Sequence, residues 1–369
     1  MPSIRPVTTR AELKTFIEYP YRKYAGHEHW VPPLLISEWE KFHPKKNPFF
    51  QHGTMELFLA ERDGRVVGRV AGIEDSVHNE THGDNLAFFG FFEAEDEEVA
   101  AELLEQTENW AKARGRDTLR GPANPTLNDG AGFQINAFDT DPFIMMPYNP
   151  PEYPQFAEAA GYRKIKDLYA WYLGADTGPS ERVLRLADRV ARRYDFTLRS
   201  LEMKQFDTEV KRVLEFYNEV WEKNWGQTKY TPKEAKLLAR ELKQIIDPDM
   251  VLMLEIGGEL AGIAVGFPNA NQLFKRMNGR LLPFGIFYAL WAKKIMNEMR
   301  LPILGVRPEY RNKGLELALI AEFCRRGIAR GYKGAECSWI LEDNEAMNKG
   351  IAASGAELYK IYRLYQKPL

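Results

Sequence analysis

The four residues Arg311-Asn312-Lys313-Gly314 stand where an apolar, strand-like run, Leu301 to Val306, gives way to a strongly helical stretch. A helix beginning near Gly314 leaves its first backbone N–H groups unpaired, and glycine removes the side chain that would hold an anion away. Arg311 and Lys313 add positive charge beside those donors, so the junction suits a phosphate. Further along, Asn344, Met347, Ile351 and Gly355 follow one another at steps of three, seven and eleven from the asparagine. Glu342 and Asp343 lie between the apolar run Ala335 to Leu341 and that second helix, where a carboxylate serves either as a general base or as a helix cap. The turn Gly121 to Gly130 carries Asn124, Asn128 and Asp129, polar groups that fit a substrate cleft or the turn itself. His78 and His82 share one face of a helix if one forms, but no Glu adjoins His78 and no third ligand is evident. A hydrogen-bonded loop is the expectation there, and no metal site.

The elements that must position these residues come in two copies. Ile4/Leu198, Gly64/Gly258 and Gly161/Gly355 share one offset of 194 positions, and Lys164 to Tyr169 echoes Lys360 to Tyr365. Each copy reads as a hairpin (Phe58 to Gly72, Val251 to Phe267), a third strand ending near Gly90 or Gly305, and an amphipathic helix ending in Ala-Arg-Gly. In the second helix Ile320, Cys324 and Ile328 are expected to form the core face. Ser180 to Tyr194, with five arginines, reads as a solvated connecting helix. The expected domains are 1–175, a linker helix over 176–197, and 198–369, in an α/β fold.

With 50 Lys plus Arg against 52 Asp plus Glu the chain has no basic field to recruit nucleic acid. Cys324 and Cys337, the two cysteines, sit in apolar surroundings and read as buried thiols of a reducing compartment. Met1-Pro-Ser-Ile-Arg-Pro carries no signal-peptide pattern, and a cytoplasmic location is expected.

Val306-Arg-Pro-Glu-Tyr-Arg311-Asn-Lys-Gly314 resembles the acyl-CoA pyrophosphate loop of the GNAT (GCN5-related N-acetyltransferase) superfamily, Val-x-Pro followed by Arg/Gln-x-x-Gly-x-Gly/Ala. The Asn344 helix is similar to the superfamily's Asn-x-x-Ala-x-x-x-Tyr-x-x-x-Gly segment. The resemblance implies two tandem GNAT-like domains, each a mixed, mostly antiparallel twisted sheet flanked by helices. It also implies acetyl-CoA or a longer acyl-CoA held by Val306, Arg311, Asn312, Lys313, Gly314, Leu315 and Asn344. The first copy has Glu93-Ala-Glu-Asp-Glu-Glu98 in place of the loop, and those carboxylates repel a pyrophosphate. It resembles the degenerate halves of tandem GNAT proteins, related in architecture to mycothiol synthase, N-myristoyltransferase and the Fem peptidyltransferases. Two positions depart from the pattern: Glu316 replaces the last Gly or Ala, and Ile351 stands where the superfamily's tyrosine acid does. A CoA thiol with a pKa of ~8.5 can leave as thiolate without that acid, whereas an amine of pKa ~10 needs a base. Glu342 and Asp343 are the candidate bases, and Tyr310, Tyr359 and Tyr362 the substitute proton donors.

The expected activity is transfer of an acyl group from CoA to a small-molecule or lipid amine by direct attack, with Asn124, Asn128 and Asp129 on the acceptor side. A catalytically silent acyl-CoA-binding or regulatory module is the rival, and a Fem-like aminoacyl-tRNA-dependent transferase a third reading. The second copy carries an insertion, since the offset grows to 215 at Gly90/Gly305. Across 268–300, Lys275, Arg276, Arg280, Lys293, Lys294 and Arg300 flank the apolar stretch Leu281 to Trp291, which suits peripheral membrane contact, a long acyl chain, or a helix packed between domains.

Overall fold

The computed structural model describes residues 1–281 and 285–369. The first half runs β1 (Ser3–Pro6), α1 (Arg10–Lys23), α2 (Leu35–Lys41), β2 (Gly53–Arg62), β3 (Arg65–Asp75), α3 (Ser76–His82) and β4 (Leu86–Ala94). It continues through α4 (Glu97–Ala113), β5 (Thr118–Gly121), β6 (Phe133–Gln134), α5 (Tyr153–Ala159) and β7 (Arg163–Gly174). After α6 (Glu181–Arg193) the second half repeats the plan with β8 (Thr197–Ser200), α7 (Phe206–Val220), α8 (Pro232–Leu242), β9 (Val251–Ile256) and β10 (Glu259–Pro268). The inserted α9 (Asn271–Met277), α10 (Gly285–Leu290) and α11 (Ala292–Ile295) precede β11 (Met299–Val306), α12 (Leu315–Ala329), β12 (Gly334–Leu341), α13 (Glu345–Ala353) and β13 (Glu357–Pro368).

The strands join into one sheet, in the order β1-β2-β3-β4-β5-β13-β7-β12-β11-β10-β9-β8, with β6 pairing β13 off this path. The pairs are antiparallel except β4–β5 and β11–β12, the mixed, mostly antiparallel architecture expected. The sheet does not divide where the chain does. β7, the last strand of the first half, pairs with β12 of the second, and β13, the last of the second, pairs with β5 of the first. The two exchanged strands pair with each other at the centre, so each half is completed by the other's final strand.

Helices cover both faces. On α12 the core-facing residues are Leu315, Leu319 and Phe323 with Ala318 and Ile320, spaced as a helix face requires. Ile328, expected in the core, is 47% exposed, because Gly327, one helical step round, takes the inward position of the final turn. The connecting helix α6 is more than a solvated linker: Val183 and Ala187 are buried, and Val190 packs on α12 beside Gly314. Its arginines face outward. β4 also runs past the expected end at Gly90 to Ala94.

Candidate active site

β11 and β12 part company in mid-strand. They pair in parallel only at Met299/Ala335, Arg300/Glu336 and Leu301/Cys337, although both continue for several residues. Pro302 follows the last pair, and a proline has no N–H to carry a ladder forward. On the other side β12 shifts register against β7 between Cys337 and Ile340, a bulge that re-aims Ser338 and Trp339. The parting opens into a cavity of about 290 Å³. One part of its wall is Asn344, Met347 and Ile351 of the α13 region. Arg300, Ser338 and Trp339 line it at the parting, and α7 and α8 contribute an apolar wall with Phe206, Val210, Leu238, Ala239 and Leu242. A third wall comes from the first half, with Leu127, Asn128, Ala131 and Met145.

The first half has the same parting in outline and fills it. β4 and β5 pair at Leu86/Thr118, Ala87/Leu119 and Phe88/Arg120. Beyond that point Ala123 N–H donates to the Phe89 carbonyl (2.9 Å), and Phe91 N–H donates to Asn124 Oδ1 (2.5 Å). A Cβ on Gly90 would lie 1.7 Å from the Ala123 carbonyl oxygen, so only glycine admits this approach. Asn124 is therefore bound into the plug and does not face the acceptor wall, contrary to the sequence expectation.

The two helix N-termini differ in the same sense. Asp96 caps α4, its side chain accepting from Val99 N–H at 3.0 Å, and Arg62 ties Asp96 and Glu98 at 2.7 Å each. Glu93 lies inward, buried, and accepts from the Tyr24 and Tyr153 hydroxyls at 2.7 Å. The α4 end thus carries its own anion. α12 begins at Gly314 with no side-chain cap, and Gly314 is left-handed at φ 78°. Arg311 is exposed, its guanidinium 3.4 Å from the Val220 carbonyl, and Asn312 is left-handed at φ 60°. Lys313 Nζ lies 4.9 Å from the centre of the Tyr310 ring. Glu316, half-buried in the first turn, has its carboxyl pushed up by burial, with Arg311 opposing.

Other expected residues fall differently. Val306 and Leu315 are core residues, exposed by 2% and 0%, and only their backbone is available to a ligand. Asn344 both caps α13, accepting from Met347 N–H at 3.2 Å, and lines the cavity. Glu342 and Asp343 do not reach the cavity. Glu342 pairs with Lys164 (2.6 Å) and accepts from Asp167 N–H (3.0 Å), and Asp343 pairs with Lys166 at 2.7 Å. The hydrogen bond from Lys166 holds the Asp343 carboxyl below its usual range, the wrong direction for a base acting on an amine. Asn128 lines the cavity and donates to the Thr228 carbonyl at 2.8 Å, joining the two halves. Asp129 is exposed and closes its own turn by accepting from the Thr126 hydroxyl at 2.6 Å.

The sequence reading missed a buried polar group at the parting itself. Arg300 (3% exposed), Glu336 (0%) and Ser338 (2%) lie on one face of β11 and β12. Arg300 Nε donates to Ser338 Oγ at 2.9 Å, and Ser338 Oγ donates to Glu336 Oε1 at 2.6 Å. The Tyr359 hydroxyl donates to Glu336 Oε2. The available signal was one opposite charge in each of two neighbouring apolar strands. Arg300, counted with the surface cations of 268–300, points inward instead. Lys275 of the same segment pairs with Asp141 at 2.6 Å, and Leu282, Pro283 and Phe284 lie outside the described residues.

Cys337 lines the cavity, but burial raises its thiol well above the ordinary range, and burial pushes Cys324 up to about 12. Neither is poised as a thiolate nucleophile. His78 is buried against the His82 ring, 4.7 Å away, and burial pushes it down to about 4. Among the described residues no three His, Cys, Asp or Glu are grouped to hold a metal ion, and no helix is long and apolar enough to cross a membrane.

The chain is 36% identical over 375 residues to the bacterial ceramide synthase of Caulobacter vibrioides (strain NA1000 / CB15N), spanning 100% of this chain and 97% of that protein. The chain belongs to the family of that ceramide synthase. Protein YghO of Escherichia coli (strain K12) is 35% identical over 374 residues, with 99% and 95% covered. No protein-family model matches the chain. Among solved structures, a tandem GNAT protein from the clavulanic acid biosynthesis pathway aligns with 100% of this chain and 98% of its own at a TM-score of 0.57 and 14% identity. A GCN5-related N-acetyltransferase from Sphaerobacter thermophilus covers 85% of this chain and 80% of its own, at 0.51 and 14%. These likenesses establish the tandem-GNAT fold, and the ceramide-synthase family places an acyltransferase within it.

Proposed function

We propose that this protein transfers a long acyl chain from CoA to the amine of a lipid-like acceptor. One observation carries the reading: a single cavity is lined both by Asn344, Met347 and Ile351 of the α13 region and by apolar side chains of α7 and α8. A CoA whose pyrophosphate rests on the uncapped start of α12, near Arg311, Asn312, Lys313 and Gly314, would run its pantetheine arm toward Asn344 and the parting. A charge at a helix N-terminus is worth about 0.3–1 kcal/mol, so the several N–H groups and both cations act together. The thioester would sit by Ser338, with its acyl chain directed into the chamber. An acetyl group would leave the apolar walls of that chamber unfilled, whereas each buried methylene of a longer chain contributes about 0.8 kcal/mol.

The acceptor would enter along the first-half wall, past Asn128 and Met145. The relative named bacterial ceramide synthase supports an amine borne on a long-chain lipid. Exposed Leu290 and Trp291, with Lys293 and Lys294 beside them, favour delivery of that acceptor from an anionic membrane surface on the cytoplasmic side. Incubating the purified protein with acyl-CoAs from acetyl to stearoyl and a panel of short and long-chain amines tests the reading. Amide and free CoA thiol are expected with long-chain donors and long-chain amines. Turnover confined to acetyl-CoA and water-soluble amines would overturn it.

A further inference from the structure

We propose that Ser338 is the catalytic group that takes the acceptor amine's proton, passing its own proton to Glu336, while Arg300 and Tyr359 hold the pair in position. The proposal rests on the acyl-transfer reading above. It answers a chemical need that the expected residues leave unmet, since Ile351 has no proton to give and Glu342 and Asp343 are tied to lysines away from the cavity.

The geometry is that of a hydroxyl held between a donor and an acceptor. A serine oxygen has one proton and two lone pairs. Ser338 spends its proton on Glu336 Oε1 at 2.6 Å and receives Arg300 Nε on one lone pair at 2.9 Å. One lone pair remains, beside Met146 Sδ at 3.5 Å, a soft and weakly bonding neighbour, and the residue lines the cavity where the strands part. Arg300 is fixed by further bonds to the Ile144 carbonyl (3.1 Å) and the Ser338 carbonyl (3.1 Å). Its guanidinium also lies 3.9 Å from Glu336, which balances the buried carboxylate. The groups facing the pair are Arg300 from β11, Tyr172 from β7, Tyr359, Lys360 and Tyr362 from β13, Glu298 beside β11, and Tyr217 and Tyr230 from the α7 side. Lys360 is turned to the Asp141 carbonyl at 2.8 Å, so it does not neutralise Glu336 directly.

In the step itself the acceptor arrives as an ammonium ion, and one of its protons passes to Ser338 Oγ as the serine proton passes to Glu336 Oε1. The freed nitrogen pair attacks the thioester carbon and forms the C–N bond. The tetrahedral intermediate collapses, the C–S bond breaks, and sulfur leaves with the electron pair and takes up the second nitrogen proton. Glu336 returns its proton through Ser338 to solvent, so amide, CoA thiol and one released proton are the products and the protein is restored.

The test compares wild type, Ser338→Ala and Glu336→Gln by kcat and KM against pH, with acyl-CoA affinity and melting temperature measured on each. A base of this kind contributes about 10²–10⁴-fold, so kcat is expected to fall by about 10²-fold in Ser338→Ala at neutral pH. The variant's kcat should then climb about tenfold per pH unit where the wild type is level, because the amine must shed its proton to solvent. Acyl-CoA affinity should stay within about threefold. Glu336→Gln keeps the shape and serves as the second variant if Ser338→Ala is poorly folded. An active wild type with both variants unchanged, or slowed without any change in pH profile, overturns the relay and leaves the acyl-transfer reading standing. A wild type that forms no amide with any donor and acceptor overturns both.

Discussion

Replacing Ala239 by phenylalanine shortens the proposed acyl chamber from its roof. Ala239 lies on α8 and lines the cavity with Leu238 and Leu242. A phenyl group there would displace about four methylenes of a bound chain. At about 0.8 kcal/mol for each methylene returned to water, long-chain donors lose about 3 kcal/mol of binding. At 1.36 kcal/mol per factor of ten, kcat/KM for palmitoyl-CoA should fall about 10²-fold. Chains too short to reach Ala239 should keep wild-type values, so the optimum moves to shorter donors. The assay is kcat/KM across a series of acyl-CoAs at one fixed amine, with melting temperature recorded because overpacking costs about 1–3 kcal/mol. A folded variant whose chain-length profile superimposes on that of the wild type would refute the chamber as the acyl site.

Charge reversal by Lys313→Glu, on a partly exposed side chain, should weaken CoA binding by about tenfold at low salt and less at high salt, as calorimetry at two ionic strengths would show. Gly314→Glu is a poor substitute, because the position is left-handed and a Cβ would lie 3.0 Å from Val190 Cγ2. Even Gly314→Ala should cost about 1–2 kcal/mol, read as a lower denaturation midpoint with or without CoA. The His52 ring donates from Nδ1 to Asp75 on β3 at 3.0 Å and from Nε2 to Glu234 at the start of α8 at 2.8 Å, and both carboxylates raise it from 6.5 to about 10. A raised folded pKa means that this stabilisation is complete below about pH 6.5 and is lost as pH rises toward 10. His52→Gln should therefore lower stability by about 2 kcal/mol at pH 6 and much less at pH 10, followed by urea unfolding at both. Equal losses at the two pH values would refute the linkage.

Much of the fold was legible because its signals are local. The 194-residue offset reappears as β1 against β8, β3 against β10 and β7 against β13, since glycines at turns and apolar strands keep their spacing whatever lies between. The loop at Arg311 to Gly314 was legible for the same reason: a helix start and its neighbouring cations are set within a few residues. The exchange of β7 and β13 was not, because strand pairing depends on which edge is open, and the two final strands have similar patterns. The plug at Ala123 and Asn124 was equally hidden, since it depends on a turn reaching a strand 33 positions earlier in the chain, Asn124 to Phe91.

The sequence alone determined that one half carries a glycine helix start flanked by Arg311 and Lys313, and the other a run of acids. It also supplied every side chain of the candidate site, without indicating which of them meet. Tertiary structure decided that. Pro302 ends the β11–β12 ladder where Arg300, Glu336 and Ser338 face one another, and strand crossing turns Glu342 and Asp343 toward Lys164 and Lys166. The physical reason is range: caps, turns and helical faces are fixed by neighbours in the chain. Which carboxylate is buried beside a cavity and which is paired at the surface depends on contacts between residues far apart in it.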